Sequence, residues 1–267
     1  MFESAMEDAA RILIGSRSAL AFTGAGISAE SGIPTFRDPG GIWDRFDPAE
    51  IGTASGIKQF AARYPERLRE FLKESAASFG NAQPNPSHYG LAELEKMGIL
   101  KSVVTQNVDD FHSIAGNTKV FEVHGNLYRF KCMACGSTQK HSRDDILSGV
   151  TSALDAEPFT VDGLLSALPK CECSGFMRPD VVMFGEEVQD LSVSFLEAQN
   201  ADVVIVLGTS GVVWPAAGVP YEGKKHGAGV IEINPSENAF RDISDVYIKG
   251  LSGEIMPRLV ELVRALR

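Results

Sequence analysis

The stretch that most constrains this chain runs from residue 19 to residue 38, Ala-Leu-Ala-Phe-Thr-Gly-Ala-Gly-Ile-Ser-Ala-Glu-Ser-Gly-Ile-Pro-Thr-Phe-Arg-Asp. Its apolar start, Ala19 to Phe22, reads as a buried strand, which breaks into Gly24-Ala25-Gly26 before small residues that suit a helix start. Glycine lets backbone N–H groups approach a pyrophosphate with no Cβ in the way, and a helix N-terminus favours negative charge. The turn therefore reads as a phosphate-binding one, although Gly-x-Gly by itself is more often plain punctuation. The tail Gly32-Ile33-Pro34-Thr35-Phe36-Arg37 adds a turn, an aromatic ring and a cation where the sugar and phosphates of a dinucleotide would lie.

The rest of the chain is compatible with a doubly wound α/β sheet. A helix with Ala9, Ile12 and Leu13 on one face leads into the first strand, covering residues 3 to 16. Strands are predicted over Lys101–Thr105, Val120–Val123, the apolar run Ala201–Leu207, Gly229–Ile233 and Asp245–Ile248, with helices over 87–97 and 253–267. Residues 56 to 80 read as helical with Pro65 in a first turn, and Asp38 to Asp44 as a mobile loop. Residues 128 to about 178 break the alternation. Several strands end in Gly, Ser, Thr or Asn, and the C-terminal strand edge of an open parallel sheet is where ligands bind.

Composition narrows the partners. A chain of 267 residues with 44% apolar and 22% charged residues is an ordinary globular enzyme, and its net charge of −10 argues against direct nucleic-acid binding while tolerating lysine-rich partners. The first residues lack the basic start and apolar core of a signal peptide, and no apolar stretch is long enough to span a bilayer, so a cytoplasmic protein without membrane partners is expected.

Three further stretches carry chemistry. Thr105-Gln106-Asn107-Val108-Asp109 follows a strand; Asp109 or Asp110 would make a good N-cap, but beside the glycine turn Asn107 and Asp109 become candidates for binding a ribose or polarising a leaving group. His124 ends the next strand, and an unperturbed pKa of about 6.5 suits a general base near neutrality. His88, His112, His141 and His226 lie in helix or loop segments, where a surface or packing role is expected. All four cysteines fall in Cys132-Met133-Ala134-Cys135 and Cys171-Glu172-Cys173, two thiolate pairs that fit one closed structural zinc site. A thioredoxin-type dithiol is the rival, but two pairs occur together and neither opens a helix. Gly175 to Glu186 reads either as a strand edge and turn or as a groove in which a peptide pairs with exposed backbone.

Taken in order, Gly24-Ala25-Gly26-Ile27-Ser28, Gly32 to Arg37, Thr105 to Asp109, His124-Gly125, the four cysteines, Arg178-Pro179-Asp180-Val181-Val182, Phe184-Gly185-Glu186, Gly208-Thr209-Ser210 and Glu232-Ile233-Asn234-Pro235 resemble the sirtuin family of NAD-dependent protein-lysine deacylases. The resemblance covers nearly the whole chain and is of the compact bacterial and archaeal type. It implies a Rossmann-like doubly wound parallel sheet (residues 1–37, 99–127 and 179–267) with a smaller inserted domain, made of a helical insert with a cofactor loop (38–98) and a zinc-binding module (128–178). NAD and acyl-lysine would enter a cleft between the domains from opposite sides. Gly24, Ala25, Gly26, Ala29, Phe36, Arg37, Gln106, Gly208, Thr209, Ser210 and Asn234 match NAD-contacting positions, Val108 and Asp109 the nicotinamide pocket, and Ser252 falls near the position that touches adenine. Val182, Phe184, Gly185, Glu186 and Val213 match the acyl-lysine groove. The mechanism implied is attack of the acyl oxygen on the anomeric carbon after Asn107 and Asp109 hold ribose and nicotinamide, with His124 as base towards a ribose hydroxyl and Phe36 as a shield against water. The products are free lysine, nicotinamide and O-acyl-ADP-ribose.

The sequence departs from that family at two points. Asp38 stands where Gly is common and Met183 where Trp is usual; both are expected to tune activity. Members that remove succinyl or malonyl groups carry Tyr-x-x-Arg, and the literal match Tyr64/Arg67 straddles Pro65 upstream of the helix position, which Leu72 and Ser75 occupy instead. Acetyl and other neutral acyl groups are therefore expected. An ADP-ribosyltransferase or NAD hydrolase on the same fold is the alternative, disfavoured by His124; an idle NAD-sensing module is disfavoured by Asn107, Asp109 and His124 together, and a dehydrogenase leaves the cysteines unexplained.

Overall fold

The computed structural model describes residues 2–36 and 40–267. In chain order the elements are α1 (Phe2–Gly15), β1 (Ala19–Thr23), α2 (Gly26–Ala29), α3 (Ile42–Arg45), α4 (Pro48–Ile51), α5 (Ala54–Arg63), α6 (Pro65–Asn81), α7 (Pro86–Lys96), β2 (Leu100–Thr105), α8 (Phe111–Ala115) and β3 (Val120–Glu122). There follow β4 (Gly125–Cys132), β5 (Thr138–Lys140), α9 (Arg143–Asp155), α10 (Val161–Ala167), β6 (Met177–Val181), α11 (Leu191–Asn200), β7 (Val203–Leu207), α12 (Gly218–Lys225), β8 (Gly229–Asn234), β9 (Val246–Lys249) and α13 (Ser252–Leu266). Two compact units result, one from Met1–Ser31, Gln83–His124 and Val188–Arg267, the other from Gly32–Ala82 and Gly125–Glu187. No helix among the described residues is long and apolar enough to cross a membrane.

The first unit is built on a parallel sheet in the order β3-β2-β1-β7-β8-β9. Strands β1 and β7 are buried at every residue because both faces are covered, which is why they read as unbroken apolar runs. Alternate residues serve opposite faces. Ala19, Ala21, Ile205 and Ile231 join Leu13 of α1, Leu91 and Leu94 of α7 and Leu259 of α13 in one core. Leu20, Phe22, Val204 and Val206 join Ala198 of α11 and Val219 of α12 in the other. Strand order reverses between β1 and β7, so the loops leaving these two strands flank the crevice where doubly wound sheets bind ligands.

In the second unit, helices α3 to α6 close over Phe46, Ile51, Phe60 and Leu68. Strand β4 is flanked by antiparallel β5 and β6, which makes β6 an edge strand of that sheet. Helices α9 and α10 pack on Leu154, Phe159 and Leu164, and Arg69 of α6 donates to the carbonyl of Leu154 (2.7 Å) with its guanidinium 5.2 Å from the Phe159 ring.

Several expectations are corrected. The helical stretch 56–80 holds two helices parted at Tyr64, with Pro65 in the first turn of the second as expected, because Pro65 has no N–H to donate and pushes its predecessor out of the helical region. The stretch 38–44, expected as a loop, contains α3; Arg37 and Asp38 lie outside the described residues. Residues 83–98 belong with the parallel sheet and not with the helical insert 38–98, since α7 buries Leu91 and Leu94 in the sheet's core. Residues 125–127 and 179–187, expected in the Rossmann-like part, group with the cysteine module through the β4–β6 pairing.

Candidate active site

The glycine turn and the end of β7 meet backbone to backbone. Gly26 N–H donates to the Gly208 carbonyl (2.8 Å), and Gly24 N–H to that of Leu207 (3.2 Å). Gly208 has φ of +57°, and a Cβ there would lie 2.2 Å from the Ile27 nitrogen, so both the conformation and the close approach require glycine. The helix after the turn is a single turn, Gly26–Ala29, with Ala25 half-buried and Ala29 exposed.

Behind this turn lies a dry polar network. Asn107, Asp109 and Ser28 are all buried. Ser28 Oγ donates to Asp109 Oδ2 (2.7 Å) and accepts from Asn107 Nδ2 (3.1 Å), so one hydroxyl orients both candidates. Asp109 Oδ1 accepts the Phe111 N–H (3.0 Å) at the start of α8. Thr105 Oγ1 accepts from the Asn107 N–H (3.1 Å) and from Thr23 Oγ1 (2.8 Å), tying the loop to the ends of β1 and β2. His88 and His112 stand behind these groups, ring centroids 5.1 Å apart. His88 Nδ1 accepts the Asn85 N–H (3.2 Å), which leaves the proton on Nε2 facing Ser28 Oγ at 3.5 Å; His112 Nε2 meets Thr23 Oγ1 at 2.9 Å. Burial drives both imidazoles to the neutral form, pulling His112 down to about 4 and His88, which also faces His112, down to about 2. Both histidines are buried and packed, one of the two roles expected of them, and each also holds a place in the network. The local signal for His88 was the capping box Asn85-Pro86-Ser87-His88. Its link to Ser28 spans 60 residues and has no local signal.

His124 is half-buried at the end of the β3 segment. Its Nδ1 lies 3.1 Å from the Gln106 carbonyl, an acceptor only, so Nδ1 carries the proton and Nε2 keeps its lone pair. Burial lowers its pKa, against the opposing pull of that hydrogen bond. The Gln106 side chain donates to Thr209 Oγ1 (2.9 Å), linking the loop after β2, whose carbonyl holds His124, to the β7 loop. The Thr209 carbonyl accepts from Asn234 Nδ2 (2.9 Å) and Asn238 Nδ2 (2.8 Å). Ser210 is exposed and Val108 half-buried; Ser252 Oγ is buried with no hydrogen-bond partner among the described residues, an orphaned polar atom that a ligand would satisfy.

In the second unit, the exposed Phe36 ring lies 5.3 Å from that of Trp43, which in turn lies 6.1 Å from the exposed Phe184. Glu186 is held by two bonds from Arg178 Nη2 (2.6 and 2.8 Å) and accepts the Met183 N–H (3.0 Å), so it braces the turn at Gly185 (φ +89°). Val182 is half-buried just past the end of β6; Val213, in the first unit, is half-buried after β7. Arg67 sits over the Phe60 and Tyr64 rings at 5.5 and 5.8 Å.

The four cysteine sulfurs lie within 4.8 Å of one another, with Cys132–Cys173 and Cys135–Cys171 each at 3.6 Å. Four thiolates about 2.3 Å from one tetrahedral ion stand about 3.8 Å apart, so the cluster fits zinc. The short Cys171-Cys173 spacing is accommodated by Ser174 at φ of +62° and by Gly175, where a Cβ would lie 2.7 Å from the Cys132 sulfur. The cluster resists full ionisation by itself. Bonds from Ser137 first, then from neighbouring sulfurs, bring Cys135 down to about 6; Cys173, although the Gly175 N–H favours its thiolate, is pushed up to about 12 by the Cys171, Cys135 and Cys132 sulfurs. A divalent cation removes that conflict.

The chain is similar to known proteins over nearly its whole length. The model of the Sir2 family matches residues 24–215. The NAD-dependent protein deacylase of Desulfosudis oleivorans is 48% identical over 267 residues, covering 99% of this chain and 98% of its own. Among solved structures, a complex of a Sir2 homologue with NAD superposes with a TM-score of 0.78 at 38% identity, covering 97% of this chain and 94% of that one. A Sir2 protein bound to a myristoylated histone peptide does so with a TM-score of 0.73 at 35% identity, covering 99% and 98%. The matched span takes in the glycine turn, the Asn107–Asp109 loop, His124 and every cysteine, and the likeness extends over nearly the full length: this chain belongs to the Sir2 family.

Proposed function

We propose that the chain is an NAD-dependent protein-lysine deacylase, with Asn107, Asp109 and His124 as its catalytic residues. The deacylase relative and the NAD and acyl-peptide complexes support the reaction class. NAD supplies a glycosidic bond whose cleavage releases nicotinamide and leaves a ribose carbon ready for the acyl oxygen. Gly24, Ala25, Gly26 and Gly208 shape the turn beside which the pyrophosphate lies, the N–H groups of the three glycines being already given to the Leu207, Gly208 and Ile233 carbonyls, while Gln106, Thr209, Ser210 and Asn234 receive the sugars; Ser252 takes adenine, and Ala29, Phe36 and Arg37 complete the contacts. Val108 and Asp109 hold the carboxamide end. Asn107 fixes the reacting ribose, and its amide is held by the same Ser28 hydroxyl that fixes Asp109. Phe36 excludes water from the reacting centre.

The observation that carries the assignment is the tautomer of His124. With Nδ1 donating to the Gln106 carbonyl and its pKa lowered by burial, Nε2 stands unprotonated at neutral pH, ready to take a proton from a ribose hydroxyl. For the substrate we assign Val182, Phe184, Gly185, Glu186 and Val213; an edge strand at β6 suits backbone pairing with an extended peptide. Acetyl and other neutral acyl groups remain the favoured cargo. Cys132, Cys135, Cys171 and Cys173 hold one structural zinc ion. Mass spectrometry of acylated peptides incubated with NAD tests the reading: His124→Ala should still bind NAD but form no O-acyl-ADP-ribose, and turnover near wild type would overturn it.

A further inference from the structure

Segment 208–217, which leaves β7, carries contacts assigned above to both ligands: Thr209 and Ser210 to NAD, Val213 to the acylated peptide. It rests on one turn that has no part in either assignment, Asn238-Ala239-Phe240, between β8 and β9. Phe240 anchors that turn, being 0% exposed and packed edge-on against the Phe22 ring of β1 at 6.0 Å. Gly211 (φ +72°) lies flush against the turn, since a Cβ there would stand 2.9 Å from both Ala239 Cβ and the Phe240 ring.

At the cofactor end of the segment, geometry alone orients the Asn238 amide. Its Oδ1 accepts the Phe240 N–H (2.8 Å), a group that can only donate, so the atom 2.8 Å from the Thr209 carbonyl is Nδ2, and it donates. Asn234 Nδ2 reaches the same carbonyl (2.9 Å), and the Ala239 N–H donates to that of Ser210 (3.3 Å). A peptide unit is planar, so two donors on the Thr209 carbonyl also set the direction of the Ser210 N–H. At the peptide end, Tyr221 of α12 donates from Oη to the Ala239 carbonyl (2.6 Å). Its ring stacks at 5.8 Å on that of Trp214, the residue after Val213, which is otherwise 63% exposed.

We propose that Asn238 and Tyr221 are positioning residues that seat the two ends of segment 208–217 on this turn, Asn238 for NAD and Tyr221 for the acylated peptide, without touching either ligand; this rests on the reading of Thr209, Ser210 and Val213 as ligand contacts. Groups already held in place need no ordering when the ligand binds, so a loosened segment loses affinity before it loses its fold. The two contacts leave the turn from different residues, and Phe240 holds the turn itself. Each contact can therefore be cut without the other.

Calorimetric titration of NAD, the KM of an acylated peptide at saturating NAD, and thermal unfolding of wild type, N238S and Y221F form the test. In N238S the hydroxyl can still accept the Phe240 N–H but is a bond short of the Thr209 carbonyl. It should unfold near the wild-type temperature and bind NAD about three- to ten-fold more weakly, the scale of one hydrogen bond, with the peptide KM unchanged. Y221F keeps the ring on Trp214 and loses only the bond to Ala239, so the peptide KM should rise several-fold while NAD affinity holds. Folded N238S that binds NAD like wild type, or Y221F with the wild-type peptide KM, overturns the role of that residue. Equal losses for both ligands in either variant would mark a general defect of the fold and overturn both roles. If wild type itself neither binds NAD nor turns over acylated peptide, the contact assignments fall first, and this inference with them.

Discussion

The Asn107–Asp109 network and the cysteine cluster solve the same problem by opposite means. Each crowds polar groups into little space. In the network the carboxylate and the hydroxyls meet donors from the chain itself: Asp109 receives Ser28 and Phe111, Ser28 receives Asn107, and Thr105 receives Thr23 and Asn107, with His112 Nδ1 the acceptor left over among the described residues. Its histidines stay neutral because charging them in a dry site costs more than the network returns. In the cluster the chain supplies four acceptors and few donors, and only a cation can balance them. A self-satisfied network is preorganised and holds its geometry before any ligand arrives, as a catalytic site needs. A site that waits for an ion holds a fold together instead.

The largest expected effect follows from that contrast. Removing the metal with a strong chelator, or Cys135→Ser, should unfold the strands around the cluster, because their core is small: Phe130, Cys132, Cys171 and Met177 with two partly buried neighbours. Structural zinc contributes on the order of 10 kcal/mol to comparable modules. Limited proteolysis should then cut within 125–187 while the parallel sheet resists. One zinc per chain in the folded protein is the expected assay result, and folded protein without zinc would break the comparison.

The network should fail with acid instead. His112 and His88 have folded pKa values far below the unfolded value of about 6.5, so below that pH the unfolded state binds more protons and stability falls as the pH falls. For His112 the loss runs from about pH 6.5 down to about 4, at roughly 1.4 kcal/mol per pH unit. Urea unfolding across that window should show the slope in wild type and a shallower one in His112→Asn; equal slopes would mean that the buried imidazole is not what the acid attacks.

Which parts of this were legible in the sequence divides along the same line. Patterns that repeat locally were readable: the apolar runs of β1 and β7, the glycines that let their ends touch, the cysteine pairs, and the residues 105–109 and 124 that stand at strand ends. Pairings across long separations were not. Ser28 meets Asp109 across 81 residues and His112 meets Thr23 across 89, so no window of the chain hints that these side chains belong together. The two-unit division was read too simply for the same reason, since α7 lies beside the helical insert in sequence but buries its leucines in the sheet's core. The bond from Asn238 to Thr209 spans 29 residues and is hidden for the same reason.

A smaller effect separates folding from orientation inside the network. Ser28→Ala leaves Asp109 Oδ2 without the Ser28 donor and the Asn107 amide without its acceptor, a loss of about 1–3 kcal/mol by the usual cost of an unmade buried hydrogen bond. Nicotinamide release should slow far more than that stability loss implies, because Asn107 and Asp109, the side chains proposed to act on the ribose and the nicotinamide, lose their orientation together. If release and stability fall in proportion, Ser28 only supports the fold.

The smallest effect on folding is expected in the aromatic row Phe36–Trp43–Phe184. Phe184 is 47% exposed and meets Trp43 at 6.1 Å with a tilted ring, so Phe184→Leu should change stability by less than about 1 kcal/mol, the scale of one exposed aromatic pair. Its backbone N–H still donates to the Gly52 carbonyl (2.8 Å), and the turn braced by Glu186 and Arg178 stays in place whatever the side chain. A ring that contributes so little to folding, yet is left standing in water, has its use in what it meets from outside. KM for an acylated peptide should therefore rise several-fold while KM for NAD holds; the reverse pattern would move Phe184 from the peptide to the nucleotide.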